Sequence, residues 1–316
     1  MIVVGGGING AVSALALSAH GLKVALVEAH DFASGTSQES SNMIWGGFKY
    51  LESYDIRLVA GLCRSRNRLA AAYPTRILET RFMAVLEQGA PFAPWFAALG
   101  ANAYWGLGRL NTARPRHRSR PTIHRLEPAV EASQIRGGVE YSDYLLADND
   151  SRFVSEFVIG AEQHGAVVAN YVALEKAEFN SKTWRLTLRD QMTGSPMEAT
   201  ARVVVNAAGP RVPAIGSLTR STTQSRLVYS KGVHLTVPQI TDSGRILAFF
   251  DDAERLFYVL PMGRRSVIGT TDTPVDDPEV VVTDEDRSFL LEQASQRLNL
   301  DRNLDASDVI SERCGV

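Results

Sequence analysis

Cysteine is nearly absent from this chain, and no apolar run in it is long enough to span a bilayer. Its two cysteines, Cys63 and Cys314, lie far apart, so they offer neither a disulfide framework nor metal-ligand spacing. That usage fits a reducing compartment. An excess of charge of one sign is also missing: 33 Lys and Arg stand against 35 Asp and Glu, for a net charge of −2. Nothing global therefore draws the chain to nucleic acid, and no base-stacking or groove-reading pattern is present. Nor is a secretory signal visible. The opening apolar residues, Met1–Val4, run straight into a glycine turn and read as a strand, so a cytoplasmic location is expected. What remains is a chain of 316 residues, 45% hydrophobic and 22% charged, ordinary for a soluble globular protein and long enough for two domains.

The first 28 residues are the most informative. MIVV suits a buried parallel strand, GGGINGA follows as a turn, and Val12, Leu15, Leu17 and His20 mark a helix that Gly21 ends. KVALVE then reads as a second strand. In this βαβ unit Gly5, Gly7 and Gly10 form Gly-x-Gly-x-x-Gly. Such glycines serve a tight turn, close backbone approach to a pyrophosphate, and close helix–strand packing. The helix N-terminus favours the phosphate charge, which makes Ile8 and Asn9 candidate contacts. Glu28 ends the second strand, where a carboxylate can accept ribose hydroxyls and would repel a 2′-phosphate. A dinucleotide site is expected, and not for NADP.

The next segment favours FAD over NAD. Asp31–Ser41 is rich in small hydroxyl residues, and Trp45-Gly46-Gly47 follows. Short side chains and bare backbone suit a long cofactor lying along the chain. Thr36, Ser37, Ser41, Met43, Trp45 and Gly46 are the candidate contacts.

The segments GGGINGA, VALVEAHDFASGTSQESS, WGGFKYLE, VEYSDYLLADNDSRFV, VVNAAGP, SKGVHLTVP and IGTTDTP occur in this order. Together they resemble the FAD-dependent glycerol-3-phosphate dehydrogenase family, within the D-amino-acid-oxidase-like flavoproteins, over nearly the whole chain. The resemblance implies an α/β fold in which a Rossmann-type FAD-binding domain is interleaved with an antiparallel-sheet substrate domain. The expected division is 1–52 plus 140–221 for FAD, with 301–316 as the start of a closing segment, and 53–139 plus 222–300 for substrate. The sequence agrees in outline. Residues 151–164 read as a helix with Phe153, Val154, Phe157 and Val158 on one face. AEFN and TWRLTLRD read as an antiparallel pair, and ARVVVNAAGP as a buried strand ending in a glycine turn. Residues 222–300 show short β-rich runs between turns such as DDAE and MGRR, followed by a helix over Asp284–Leu298. The resemblance further places Val172 against the adenosine half and Asn206, Ala208 and Gly209 near the cofactor.

Oxidising an alcohol carbon with a flavin requires a base for the hydroxyl proton and a means of holding the substrate. His234, in SKGVHL, is the best base candidate among six histidines. Lys49 and Tyr50 sit where the resemblance implies an arginine and a tyrosine beside the substrate. Two departures bear on specificity. Lys49 is a point charge where arginine would offer a bidentate fork, and Trp45 replaces a histidine near the flavin. The pocket is therefore expected to be reshaped, for glycerol 3-phosphate, another hydroxy acid, a polyol phosphate or an amine.

The chain ends at Glu312–Val316, within a strand. By the resemblance, a substrate-binding arginine, a glycine-rich segment and a C-terminal helical domain would follow. A fragment or truncated product, with weakened flavin binding and poor turnover, is the corresponding expectation. A non-catalytic flavin-binding module and an amine or amino-acid oxidase remain as alternatives. Finally, Phe92, Trp95, Phe96, Leu99, Tyr104 and Trp105 precede Arg109, Arg114, Arg116, His117, Arg118 and Arg120. Aromatics beside a basic run can dock on an anionic bilayer, and the resemblance implies electrons passed to quinone. A peripheral site on the inner face of the cytoplasmic membrane is one expectation; a core helix with a solvated loop is the other.

Overall fold

A computed structural model describes residues 1–221, 225–250 and 255–316. The chain opens with β1 (Ile2–Val4), α1 (Ile8–Ala19) and β2 (Ala25–Val27). β3 (Met43–Ile44), a 3-10 turn at Phe48–Leu51, α2 (Ile56–Ala72), β4 (Ile77–Glu87) and α3 (Pro94–Leu107) follow. Then come β5 (Arg116–Arg118), α4 (Arg120–Leu126), β6 (Ile135–Leu146), α5 (Asp150–Gln163) and β7 (Val167–Ala169). β8 (Val172–Phe179), β9 (Trp184–Asp190), β10 (Pro196–Ala201), β11 (Val204–Asn206) and α6 (Val212–Leu218) complete the middle. The last part holds β12 (Tyr229–Pro238), β13 (Ile246–Phe250), β14 (Leu256–Met262), β15 (Arg265–Gly269), β16 (Thr273–Val275), α7 (Asp284–Arg297) and β17 (Ser311–Gly315).

Three sheets result. A four-stranded parallel sheet has the order β11-β1-β2-β7. Its strands are short and apolar, as strands covered on both faces must be. α1 and α5 pack together against it, burying Ala11, Ala14, Phe153, Val154, Phe157 and Val158. A three-stranded antiparallel sheet, β10-β9-β8, lies alongside. The ten-stranded sheet runs β16-β12-β15-β14-β13-β4-β6-β3, with β17 on β12 and β5 on β6. It is antiparallel except for the β13–β4 pair.

Alternation along the large sheet separates two faces. Val233, Leu235, Leu247, Phe249, Val259 and Ile268 point to one face, which α7 covers. Tyr141, Ala248, Tyr258, Leu260 and Val267 point to the other, where Phe48 and Leu51 pack. Phe82, Phe249 and Phe257 are among its fully buried side chains, each contributing roughly 2–3 kcal/mol by leaving water.

The expected interleaving is present, with three differences of detail. The expected boundary at residues 139 and 140 falls inside β6, whose twelve residues form one continuous strand of the large sheet. β17, expected to begin closing the nucleotide domain, adds to the large sheet beside β12. The strand of VVNAAGP is half-buried rather than buried, because β11 is the edge of the parallel sheet. The expected turn at Asp251–Glu254 and the start of the second substrate segment at 222 lie outside the described residues.

Candidate active site

At the C-terminal ends of the parallel strands, the backbone leaves no room for side chains. Gly5 has φ +109°, and a Cβ there would stand 2.4 Å from the Ala207 carbonyl oxygen. One on Gly10 would lie 1.8 Å from the Gly5 oxygen. The Ala207 contact arises because β1 pairs with β11 through Val4 and Asn206, which brings the Ala207 turn over the glycine turn; the Gly10 contact is internal to that turn. Gly7 is the extended N-cap of α1 and provides no capping side chain. The Ile8 amide instead donates to Ser37 Oγ at 3.0 Å. The first turn of α1 carries no acidic residue, so nothing there opposes an anion at the positive helix end.

Glu28 closes the site at the end of β2. Its carboxylate accepts the Gly6 amide at 2.7 Å and the His30 amide at 2.8 Å. Each oxygen retains acceptor capacity. The Val172 amide donates to the Glu28 carbonyl at 2.7 Å, so the expected adenosine contact lies beside the expected ribose acceptor. Asn206 turns inward: its amide donates to the Val212 carbonyl at 2.9 Å and its oxygen accepts from Ala208. Gly209, at φ +55°, begins the following turn. A bare cradle with a helix N-terminus and a terminal carboxylate fits a dinucleotide. Ala207, which shapes that cradle, was missed in the sequence because an alanine has no chemistry to mark it.

The hydroxyl-rich loop is pinned at both ends. Ser40 donates to Asp150, and Thr36 Oγ1 donates to the Val316 carbonyl at 2.8 Å. Arg313 donates to the Ser40 carbonyl at 3.0 Å, and the Cys314 amide to Glu39 at 2.9 Å. Ser41 is half-buried, and Met43 pairs with Leu145 in the large sheet. Loop and β17 thus hold one another.

Gly46 is wedged against a buried polar group. A Cβ on it would meet Tyr104 Oη at 2.2 Å, Arg66 Nη1 at 2.8 Å and Cys63 Sγ at 2.9 Å. Arg66 donates to Asp143 at 2.9 Å, Tyr104 donates to Asp143 at 2.6 Å, and the Gly46 amide approaches the same carboxylate at 3.4 Å. Arg66, Tyr104 and Asp143 are all at most 3% exposed. Burial pushes the Asp143 carboxyl up, against the pull of Arg66 and the Tyr104 hydroxyl. It pushes the Tyr104 phenol far higher, keeping that hydroxyl a donor. Sequence reading missed this network because its members lie far apart in the chain.

From that support the chain enters the 3-10 turn that carries Lys49 and Tyr50. Trp45 and Tyr50 rings lie 5.6 Å apart. Tyr50 is exposed, Lys49 is half-buried, and among the described residues Lys49 pairs with no carboxylate. This turn packs over the sheet face that holds His234.

His234 is 7% exposed, and among the described residues neither ring nitrogen has a hydrogen-bond partner. A buried polar group is normally satisfied, so the ring asks for a partner from outside the chain. Desolvation, with a smaller push from the Arg313 cation, lowers its pKa to about 4. The imidazole is therefore neutral near pH 7 and able to accept a proton. Its surroundings follow from register. His234 lies opposite Gly269, which lies opposite Tyr258 on the far side. The imidazole leans over Gly269, where a Cβ would stand 2.8 Å from Cδ2. Two strand spacings put the His234 and Tyr258 backbones roughly 10 Å apart, with a side-chain-free floor between. Burial, with Asp143 and Glu52 nearby, holds the Tyr258 phenol above its ordinary range. Arg313 faces His234 from β17. Neither Tyr258 nor Arg313 was evident in sequence; alternation in RLFYVLP could have marked Tyr258.

The aromatic stretch divides. Trp95 is 67% and Leu99 61% exposed, with Phe96 also at the surface. Tyr104 instead belongs to the Asp143 network, and Trp105 Nε1 donates to the Thr112 carbonyl at 2.7 Å. The expectation of one aromatic surface thus holds only for the first turns of α3. Among the described residues no helix is long and apolar enough to cross a membrane, and no His/Cys/Asp/Glu group could hold a metal ion.

Comparison with known proteins gives a consistent picture. The family model described as FAD dependent oxidoreductase matches residues 1–316. An aerobic glycerol-3-phosphate dehydrogenase of Staphylococcus haemolyticus is 31% identical, over 100% of this chain and 58% of its own length. The Staphylococcus saprophyticus protein of the same name is 30% identical with the same coverage. The chain thus spans less than two thirds of these relatives. The glycerol-3-phosphate dehydrogenase of Bacillus halodurans, solved with FAD, superposes with a TM-score of 0.79 at 27% identity, covering 99% of this chain and 55% of that one. A glycine oxidase of Geobacillus kaustophilus, at 19% identity and TM-score 0.75, covers 99% of this chain and 81% of its own and shares the fold.

Proposed function

The chain belongs to the FAD-dependent oxidoreductase family, and on that premise we propose that it oxidises the CH–OH group of a small anionic substrate, glycerol 3-phosphate or a close analogue. The observation that carries this reading is His234, buried, neutral and, among the described residues, unpartnered, on the same sheet face against which the turn of Lys49 and Tyr50 packs. FAD, if held by the groups named below, would supply the acceptor for the hydride of the substrate carbon. His234 accepts the hydroxyl proton on a ring nitrogen, which burial keeps unprotonated at neutral pH. Lys49 holds the substrate's phosphate or carboxylate as a point charge. Tyr50 and Trp45 shape the wall beside it.

The cofactor would be held by this chain's own groups. The Gly5, Gly7 and Gly10 backbone and the Asn9 amide would face the pyrophosphate, with the Ile8 amide donating to Ser37 Oγ beside them. Glu28 and Val172 serve the adenosine end. Thr36, Ser37, Ser41, Met43, Trp45 and Gly46 line one side, and Asn206, Ala208 and Gly209 the other. Quinone or another acceptor would take up the electrons, and exposed Trp95, Phe96 and Leu99 in the first turns of α3 support a peripheral contact with a bilayer.

The test is anaerobic addition of glycerol 3-phosphate to the FAD-loaded protein. Bleaching of the flavin absorbance, with a raised KM and little change in kcat for Lys49→Ala, is expected. An unbleached flavin with this substrate and with related hydroxy acids would overturn the reading.

A further inference from the structure

We propose a second anion site, distinct from the His234 face: a cavity behind the large sheet that binds a compact oxyanion of the phosphate class. Val139 lies in the cross-strand row Tyr258–Ala248–Ala84–Val139, on the His234 face. Glu140, the next residue of β6, therefore points to the opposite face. Around it a cavity of about 180 Å³ is lined by Arg81, Arg114, Arg116, Arg118 and Arg245. By liquid volume that is room for roughly six waters, enough for one phosphate and a few waters.

The charges do not balance within the chain. Glu140 accepts from Arg81, Arg118 and Arg245, and Glu127 accepts from Arg245 at 3.1 Å. Five guanidinium groups thus line a cavity with the carboxylates of Glu140 and Glu127, and with Glu79 beside it on the Ala113 amide, in a protein whose net charge is −2. Burial alone would raise the Glu140 carboxyl, but the arginine hydrogen bonds outweigh it and bring it to about 2. Glu140 is therefore an anion at neutral pH, and it holds Arg81, Arg118 and Arg245 in place. Arg114 and Arg116 are exposed, and among the described residues neither guanidinium has an ionic partner. Their segment is held in place: the Ala113 amide donates to Glu79 at 2.7 Å, and Arg81 donates to the Ala113 carbonyl at 3.3 Å. Each guanidinium carries five donors in a planar fork. The carboxylates take only two from Arg118 and two from Arg245. A concave surface with unspent, fixed forks concentrates small anions and matches phosphate geometry.

Free phosphate and the phosphate of a lipid headgroup share this chemistry. The experiment is a thermal-unfolding titration of the protein with inorganic phosphate at constant ionic strength. It reads stability rather than turnover, so it stands whether or not the flavin reading holds. The expected result is a saturable rise in Tm that survives Lys49→Ala but is weakened about tenfold or more, in phosphate concentration, by Arg114→Met/Arg116→Met. Those residues are exposed, so the double variant keeps its fold. A second arm uses sedimentation with phosphatidylglycerol vesicles. Pelleting that the double variant loses and phosphate competes assigns the lipid source; phosphate binding without pelleting assigns the free ion. No phosphate-dependent rise, or one lost in Lys49→Ala and retained in the double variant, overturns the proposal.

Discussion

At the nucleotide end, Gly5, Gly10 and Ala207 bring three stretches of backbone together with no space for a methyl group. On the large sheet, His234 and the Arg66–Asp143–Tyr104 network are buried side chains whose charge and hydrogen bonding are the point. The first region is damaged by adding an atom. The second is damaged by changing a protonation state or removing a partner. Between them, Gly46 belongs to both: it must lack a side chain because the polar network fills the space behind it.

This difference can be probed in order of effect. His234→Gln keeps the size of the ring roughly but removes the base, and should slow flavin reduction by substrate about 10²–10⁴-fold. Stopped-flow reduction checks this; flavin occupancy should stay unchanged, and a loss below tenfold would assign the base elsewhere. Arg66→Met leaves Asp143 buried without its cation, held only by Tyr104 and the Gly46 amide, which should cost about 3–5 kcal/mol in urea unfolding. The double variant Arg66→Met/Asp143→Leu should recover most of that stability. If the single and double variants are equally destabilised, the network matters through packing rather than charge.

The smallest effect is the pH dependence of stability. An unfolded histidine takes up its proton near the ordinary value of 6.5, whereas folded His234 does so only at about 4. As pH falls through that window the unfolded state binds more protons, so His234 costs stability progressively, roughly 3 kcal/mol by the lower limit. Above the ordinary value it contributes nothing. Unfolding of the wild type and His234→Gln across pH 4–7 should converge at the upper end and separate at the lower, with the variant the more resistant to acid.

The two regions also differed in how far they could be read in advance. The glycine spacing, the helix stop at Gly21 and the acid at Glu28 are local, and each follows from what a tight βαβ turn requires. The motif containing His234 was legible too, but its environment was not. Gly269, Tyr258 and Arg313 reach it only through cross-strand register, which pairs residues distant in sequence. Asp143 and Arg66 meet across 77 positions for the same reason. The 3-10 turn holding Lys49 is too short to show any periodicity.

On the proposed reading, the glycine turn holds FAD through bare backbone. A fluorescence titration with FAD tests it most directly, comparing the wild type with Gly10→Ala and Gly21→Ala. Gly10 has no space for a Cβ, whereas Gly21 has nothing within 4 Å and only a strained φ of +78°. The expected result is one flavin per chain for the wild type, binding weakened about tenfold or more in Gly10→Ala, and near-normal binding in Gly21→Ala. Wild-type-like FAD affinity in Gly10→Ala, or no FAD binding by the wild type, would contradict it.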